Sequence, residues 1–239
     1  MTQRLAIGSI TPSSNRVVER TLAGILTAIP EIDSCIARIP YDAAGNGQPR
    51  HGYDHASYRQ AAGMLGHARV GVVCWNGTRG AGFGLDADRA LVATMAEAAG
   101  CPATTTSLAA MELLDALDAR RIGIVTPGDA AYAEHAAHGL GRDLVAVRSL
   151  GLLNNDEAAA VPVARIAALA REVAAEARPE AILLWSTNLF GLPAMAPLEA
   201  GLGIPVIDSA TDGVWAALRA VGAPMAPVAR LGRIFTLGG

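Results

Sequence analysis

The sequence predicts an α/β protein with two similar lobes, each a parallel sheet covered by helices, related by a pseudo-two-fold axis and separated by a central cleft. Short apolar runs alternate with helical patterns along all 239 residues. The apolar runs are continuous, which is typical of parallel strands buried on both faces. Short motifs of the first half also recur in the second half in the same order, which indicates an internal duplication.

The first half contains four predicted strands, at residues 4–10, 35–39, 69–75 and 102–105. Helical patterns lie between them at residues 16–28, 53–66 and 86–99. A further helix is expected to run to Leu117 with Ser107 as its N-cap, because a serine hydroxyl can accept a free N–H of the first turn. Residues 77–84 hold four glycines, and we expect them to form a flexible connector or a lid.

The second half repeats this scheme, with strands at residues 121–125, 144–147, 181–185 and 204–207 and helices at residues 131–140, 163–177 and 211–221. The recurring motifs are residues 10–12, 73–78 and 100–103, which align with residues 125–127, 182–187 and 203–206. We therefore divide the chain into an N-terminal lobe of residues 1–118 and a C-terminal lobe of residues 119–239. The helix that ends the N-terminal lobe is in a position to pack on the other lobe.

Composition excludes several classes of function. The formal net charge is −3 and all 19 basic residues are arginines, which argues against nucleic acid as a partner. The absence of lysine excludes a Schiff base on an enzyme lysine and a phosphate-loop lysine. No run approaches the ~20 apolar residues that span a membrane, and the N-terminus does not have the pattern of a signal peptide. We expect a cytoplasmic protein, of bacterial origin by its arginine and alanine bias, with no membrane partner.

The three cysteines, Cys35, Cys74 and Cys101, are too sparse for a disulfide framework and are expected to be reduced. They form no C-x-x-C pair, and the five histidines form no H-E-x-x-H motif. We therefore expect no metal site and no cofactor.

Four loops are predicted to meet at the cleft, because they follow the carboxyl ends of parallel strands, where ligands of open α/β sheets bind. They are residues 11–15, 77–80, 126–128 and 186–188, and they are rich in hydroxyls, small residues and N–H groups at helix starts. Such a pocket suits a small organic anion. Arg79 and Asp129 are its candidate charges. A simpler interpretation of the first loop is a strand–helix turn with capping residues.

These residues resemble the aspartate/glutamate racemase superfamily over nearly the whole chain. The matching features are the two lobes, Thr-Pro-Ser-Ser-Asn at residues 11–15, Gly-Thr at 77–78 and Trp-Ser-Thr-Asn-Leu at 185–189. The branch that is most similar contains maleate cis–trans isomerase, arylmalonate decarboxylase and the ectoine-utilisation racemase-like proteins. The resemblance implies cofactor-free acid–base or nucleophilic chemistry beside a carboxylate that N–H and hydroxyl groups hold.

Racemases and isomerases of this superfamily use one cysteine in each lobe, and the decarboxylase uses only the second. Here Gly77 stands at the first cysteine position and Ser186 at the second, so both catalytic cysteines are replaced. The family's usual tyrosine is replaced by Gly128, and Tyr132 is a candidate substitute. The resemblance implies substrate-binding roles for Ser14, Asn15, Thr78, Arg79, Thr126, Thr187 and Asn188, with Arg79 where a serine is usual.

Three functions remain open, because a serine hydroxyl is a weaker acid than a thiol and a poor nucleophile without a base. The first is an isomerase or decarboxylase-like lyase that acts on a small carboxylate or dicarboxylate. The second is a hydrolase of a small amide or imide with Ser186 as nucleophile, and the third is a carboxylate-binding protein without activity. An enzyme needs a base near Ser186 or the substrate, and the candidates are Asp129, His51, His55 and Asp208. Homo-oligomerisation, frequent in the family, is left open.

Overall fold

The computed structural model of the chain describes residues 4–42, 44, 46–152 and 154–237. Strands and helices alternate along it. The strands are β1 (Ala6–Pro12), β2 (Asp33–Ile39), β3 (Val72–Trp75), β4 (Ala103–Thr105), β5 (Arg121–Thr126), β6 (Asp143–Ser149), β7 (Ala181–Leu184) and β8 (Val206–Asp208). The α-helices are α1 (Val17–Leu26), α2 (His55–His67), α3 (Arg79–Phe83), α4 (Leu85–Ala99), α5 (Thr106–Ala116), α6 (Ala130–Gly139), α7 (Asn155–Ala159), α8 (Val163–Ala177), α9 (Leu192–Leu202) and α10 (Ser209–Ala220). Two 3₁₀ turns, Ala226–Leu231 and Arg233–Thr236, follow α10.

The strands form two parallel four-stranded sheets with the same internal order. The first has the order β2-β1-β3-β4 and the second the order β6-β5-β7-β8. Every strand pair is parallel, so the carboxyl ends of the two inner strands of each sheet lie together at one edge. The predicted α/β fold of two similar parallel sheets covered by helices is thereby confirmed.

The inner strands are buried because helices cover both faces of each sheet. Every residue of β3 and of β7 is buried, which agrees with their continuous apolar sequences. The three tryptophans, Trp75, Trp185 and Trp215, are also fully buried. Trp75 packs edge-on against Tyr58 with 4.9 Å between the ring centroids. The strand ends that bear the polar loops are thus held by a rigid apolar core.

The two halves of the chain are joined by a helix pair. Helix α10, which follows the last strand of the second sheet, packs against α5 and α1 of the first half. A Cβ at Gly213 would lie 2.5 Å from the Asn76 side-chain oxygen, so glycine allows α10 to approach β3 closely. The chain passes from the first sheet to the second between α5 and β5. The division into lobes at residue 118 stays a prediction.

Three local predictions need correction. The N-cap of α5 is Thr105, not Ser107, because β4 runs directly into the helix and the Thr105 hydroxyl accepts the Leu108 N–H at 3.2 Å. Residues 79–83 form helix α3 where we expected a flexible connector or lid. Helix α9 was not predicted, because Pro193, Pro197 and several glycines obscure its pattern.

No helix in the described part of the chain is both long and apolar enough to cross a membrane. All three cysteines are free thiols, as expected. Among the described residues, no three histidine, cysteine or acidic side chains lie together in a way that could hold a metal ion. The cytoplasmic location and the oligomeric state stay predictions.

Helix α3 is held by a close contact with α6, which belongs to the second half. A Cβ at Gly139, the last residue of α6, would lie 1.7 Å from the backbone carbonyl oxygen of Ala81 in α3. Only glycine therefore permits this packing. The contact fixes α3 across the two halves of the chain, which explains why residues 79–83 are ordered as a helix.

We expect Gly139→Ala to lower the free energy of unfolding by about 1–3 kcal/mol, because backbone must move to admit the methyl group. Urea denaturation would measure it. Gly201→Ala in α9 is the control, since nothing lies within 4 Å of a Cβ at Gly201. That variant should be as stable as the wild type or up to ~1 kcal/mol more stable. Equal effects of both substitutions would contradict the contact.

Candidate active site

A cavity of about 220 Å³ lies where the carboxyl ends of β1, β3, β5 and β7 meet. This volume suits a small organic molecule better than a nucleotide. Residues from all four predicted loops line it, together with the segments around residues 41 and 155. The lining residues are Pro12, Tyr41, Ala44, Trp75, Gly77, Thr78, Arg79, Pro127, Gly128, Tyr132, Leu152, Asn154, Asn155, Ala158, Ser186, Thr187 and Asn188.

Six of the nine residues predicted for the site line this cavity: Gly77, Thr78, Arg79, Ser186, Thr187 and Asn188. The N–H groups of Gly77, Thr78 and Thr187 donate to no other group of the described residues. Hydroxyls and free N–H groups from both halves of the chain thus surround the same space. Such donors are suited to a carboxylate or to the oxyanion that develops from it.

Asn15 lies behind the cavity wall and does not line it. Its side-chain oxygen accepts the N–H groups of Val17 and Val18 at 2.8 and 3.1 Å, which caps α1. Its side-chain nitrogen donates to the backbone carbonyl and the hydroxyl of Thr187, each at 3.1 Å. The amide is fully buried and its hydrogen bonds are used within the protein. Asn15 therefore positions Thr187, and its predicted contact with substrate stays a prediction.

Ser14 and Thr126 also lie outside the cavity lining. The Ser14 hydroxyl donates to the Tyr41 carbonyl at 2.9 Å and accepts the Asn155 side-chain amide at 3.1 Å. It thereby holds two residues that do line the cavity. The Thr126 hydroxyl accepts the Gly128 N–H at 3.2 Å and shapes the turn after β5. Both residues support the cavity wall from behind, and their predicted contact with substrate stays a prediction.

The Ser186 hydroxyl oxygen accepts the Asn188 N–H at 3.1 Å. None of the four candidate bases lines the cavity. Asp129 caps α6 by accepting the Tyr132 N–H at 2.8 Å, and His55 contacts the Thr94 hydroxyl at 2.7 Å. His51 is exposed, and Asp208 is buried beneath the loop after β7. In the described structure, Ser186 therefore lacks the base that would make it a nucleophile.

Tyr132 lines the cavity and was predicted only as a candidate substitute for a missing tyrosine. Its hydroxyl lies 2.6 Å from the hydroxyl of Thr78, so the pair connects α6 with the start of α3. A Cβ at Gly128 would lie 3.3 Å from the Tyr132 ring, and the ring therefore rests where a side chain at residue 128 would project. Burial raises the pKa of Tyr132 to about 12, so the phenol is protonated at neutral pH.

Arg79 brings a positive charge to the cavity wall. One of its terminal nitrogens, Nη2, donates to the Pro49 carbonyl at 2.6 Å. The guanidinium lies over the rings of Phe83 and Tyr41, 4.8 and 5.3 Å from their centroids. The other terminal nitrogen, Nη1, is buried with no hydrogen-bond partner in the described part of the chain. A carboxylate of a bound molecule would be a suitable partner for this charge.

A sequence model of the arylmalonate decarboxylase family matches residues 41–235. The chain belongs to the arylmalonate decarboxylase family. Arylmalonate decarboxylase from Bordetella bronchiseptica is 34% identical over 192 residues, which cover 76% of this chain and 75% of that protein. A liganded structure of an arylmalonate decarboxylase double mutant, glycine to cysteine and cysteine to serine, has a TM-score of 0.80 at 26% identity and covers 98% of this chain and 100% of that one.

Maleate isomerase from Nocardia farcinica is a second relative, 30% identical over 121 residues, which cover 49% of this chain and 48% of that protein. A structure of this isomerase, with a covalently bound succinylcysteine intermediate, has a TM-score of 0.84 at 24% identity and covers 98% of this chain and 99% of that one. The predicted branch of the racemase superfamily is thus confirmed. The prediction of an isomerase or lyase of this superfamily is confirmed with it.

A buried carboxylate supports residues 77–80, which follow β3, and the sequence alone did not indicate this role. Asp88 in α4 accepts hydrogen bonds from the hydroxyls of Tyr53 and Thr105, each at 2.5 Å. A Cβ at Gly80 would lie 1.9 Å from an Asp88 carboxylate oxygen. Burial raises the pKa of Asp88. This residue fixes the loop that contains Gly77, Thr78 and Arg79, but in the sequence it is one acidic residue among several on an ordinary helix.

Asp208 has a similar role beneath the loop that contains Ser186. Its carboxylate accepts the Gly191 N–H at 3.2 Å and the Thr211 hydroxyl at 2.7 Å. Complete burial raises the pKa of Asp208 to about 7, although these hydrogen bonds oppose the shift. Asp208 therefore ties the loop after β7 to α10 and changes its charge near neutral pH.

Because the pKa of Asp208 is higher in the folded chain than in the unfolded one, the folded state binds the extra proton between about pH 4 and 7. This contribution to stability is present below pH 4 and is lost as the pH rises to about 7. We expect Asp208→Asn to make the decline of the unfolding free energy shallower by up to about 1.4 kcal/mol per pH unit. Urea denaturation at pH 5 to 8 would test this, and parallel curves for variant and wild type would contradict it.

Proposed function

We propose that the chain is a cofactor-independent lyase that decarboxylates a small dicarboxylate of the malonate type. The observation that supports this most directly is the wall of hydroxyl and free N–H donors from both halves of the chain, which Gly77, Thr78, Ser186 and Thr187 provide. When CO2 leaves, the electrons of the broken C–C bond move into the carboxylate that stays, and an enediolate forms. Donors fixed around that carboxylate stabilise the added charge without reorganisation.

Arg79 supports a substrate with two negative charges. Its guanidinium at the cavity wall has a buried nitrogen without a partner, and no ion pair with a described carboxylate involves it. A cation in this position favours the carboxylate that remains after CO2 is lost. Leu152 and Ala158 provide an apolar part of the lining. A carboxylate that lies against this part has no hydrogen-bond donors to stabilise its charge, so it is the one that leaves as CO2.

The absence of a usable thiol favours decarboxylation over covalent isomerisation. None of the three cysteines lines the cavity. Cys74 is buried within β3, and burial raises the pKa of its thiol. The intermediate described for the maleate isomerase is a covalent adduct of cysteine. Decarboxylation does not require such an adduct, only a stabilised enediolate and a proton donor.

The hydrolase interpretation lacks its required contact. All five histidines are exposed and none lines the cavity, so none can activate Ser186. Ser186 is better placed to donate a hydrogen bond from its hydroxyl to the substrate, since its oxygen already accepts the Asn188 N–H. We therefore do not propose amide or imide hydrolysis for this chain.

We expect the wild-type chain to release CO2 from one or more α-aryl or α-alkyl malonates, and Ser186→Ala to lower kcat by about 10²–10³-fold, as removal of one oxyanion donor does. Proton NMR in D2O together with a CO2 assay would measure both. Ser149→Ala is the matched control, because Ser149 is exposed at the end of β6 and lies outside the cavity. It should retain wild-type activity.

Two results would overturn the proposal. Isomerisation of maleate without CO2 release from any malonate would assign the chain to the isomerases. Malonates that raise the melting temperature of the protein but are never converted would favour a carboxylate-binding protein.

A further inference from the structure

We propose that the phenol of Tyr132 donates the proton that converts the enediolate into product. This inference rests on the proposed decarboxylation and assigns the step that a thiol cannot perform here. It begins from the cavity lining, in which the described residues include no cysteine, histidine, aspartate or glutamate. The lining side chains that bear exchangeable protons are otherwise alcohols, amides, an indole and the Arg79 guanidinium, all of which are weaker acids than an ordinary phenol.

Tyr132 is the better placed of the two phenols in the lining. Its ring is held on α6 against Gly128, and its hydroxyl is fixed 2.6 Å from the Thr78 hydroxyl. Tyr41 lies in the irregular segment after β2, where its ring contacts the Arg79 guanidinium. A general acid must be held at the reacting atom. Thr78 belongs to the proposed donor wall, so its partner Tyr132 stands beside the carboxylate that becomes the enediolate.

Two neighbouring groups of Tyr132 limit the cost of the phenolate that proton transfer would produce. The Thr78 hydroxyl can turn its own hydrogen toward the phenolate oxygen, because either member of the pair can be the donor. The positive charge of Arg79 favours the phenolate, while burial and Tyr41 oppose it. Because burial outweighs the effects of Thr78 and Arg79, the phenol is protonated before the reaction, and the phenolate readily takes up a proton after it.

The enediolate carbon forms a C–H bond with the hydroxyl proton of Tyr132, the O–H bond breaks, and the electron pair of that bond stays on the phenolate oxygen. Water then returns a proton to the phenolate and leaves hydroxide. The hydroxide combines with the released CO2 to give bicarbonate. In these steps Ser186 does not transfer a proton and acts only as a hydrogen-bond donor to the substrate.

The stereochemistry of the product tests this assignment. With a prochiral malonate that the wild type converts, a fixed donor gives one enantiomer. In Tyr132→Phe, water must supply the proton, so we expect racemic product and a kcat about 10²–10³-fold lower, with KM little changed. Ser186→Ala should be slow but should still give the wild-type enantiomer. Replacement of Tyr132 by 3-fluorotyrosine, which keeps the phenol, should restore the single enantiomer.

Tyr58→Phe is the matched control, because Tyr58 is a buried tyrosine outside the cavity whose hydroxyl has no partner in the described structure. It should retain the rate and enantiomer of the wild type. A single enantiomer at near wild-type rate from a folded Tyr132→Phe protein would overturn the Tyr132 assignment alone. A wild-type chain that releases no CO2 from any malonate would overturn both proposals, because no enediolate would then form.

Discussion

The buried amide of Asn15 connects the two halves of the chain at the point where the candidate site lies. Its oxygen caps α1 in the first half, and its nitrogen holds the backbone and the hydroxyl of Thr187 in the second. A buried amide left without these partners would cost about 1–3 kcal/mol for each unpaired group. The relative position of the loops that follow β1 and β7 is therefore strongly constrained. The hydroxyls and N–H groups on the two sides of the cavity keep a fixed separation as a result.

Other interactions fix the same geometry from different directions. Gly139 lets α6 approach α3, and Asp88 and Asp208 hold the loops after β3 and β7 from below. Both carboxylates are buried, and burial raises the pKa of each. The donor wall is thus preorganised by groups that lie outside the cavity lining. Preorganisation of this kind allows uncharged hydroxyl and N–H donors to stabilise a developing charge.

The described lining of the cavity contains no thiol, whereas the intermediate described for the Nocardia farcinica maleate isomerase is a covalent adduct of cysteine. An enediolate can still be stabilised, since that requires only donors, but a proton source has to come from elsewhere. The Tyr132–Thr78 pair and Arg79 lie in the same cavity and together offer a phenol with a nearby positive charge. Gly77 and Ser186 at the two predicted cysteine positions would therefore not by themselves remove the capacity for catalysis.

The fold class and the place of the candidate site follow from the sequence alone. Continuous apolar runs indicate parallel strands, and their carboxyl ends bring the four loops together in any arrangement of this type. The sequence also determined that no lysine of the chain can take part in catalysis, because the chain contains none. Helix α9 and helix α3 escaped prediction, since proline and glycine obscure a helical pattern that tertiary contacts stabilise. A local sequence pattern carries no information about these tertiary contacts, so it cannot predict the two helices.

The role of each polar side chain depends on its partners in the folded chain. Asn15, Ser14 and Thr126 have the residue types of a carboxylate site, yet their hydrogen bonds are used within the protein. Tyr132 reaches the cavity because Gly128 has no side chain and leaves room for the tyrosine ring. The sequence shows only that the two residues are four positions apart, and it does not show this contact. The sequence fixes which donors exist. Whether a donor is free for substrate depends on partners that are distant in sequence, such as Asn15 and Thr187, and only the folded chain brings these together.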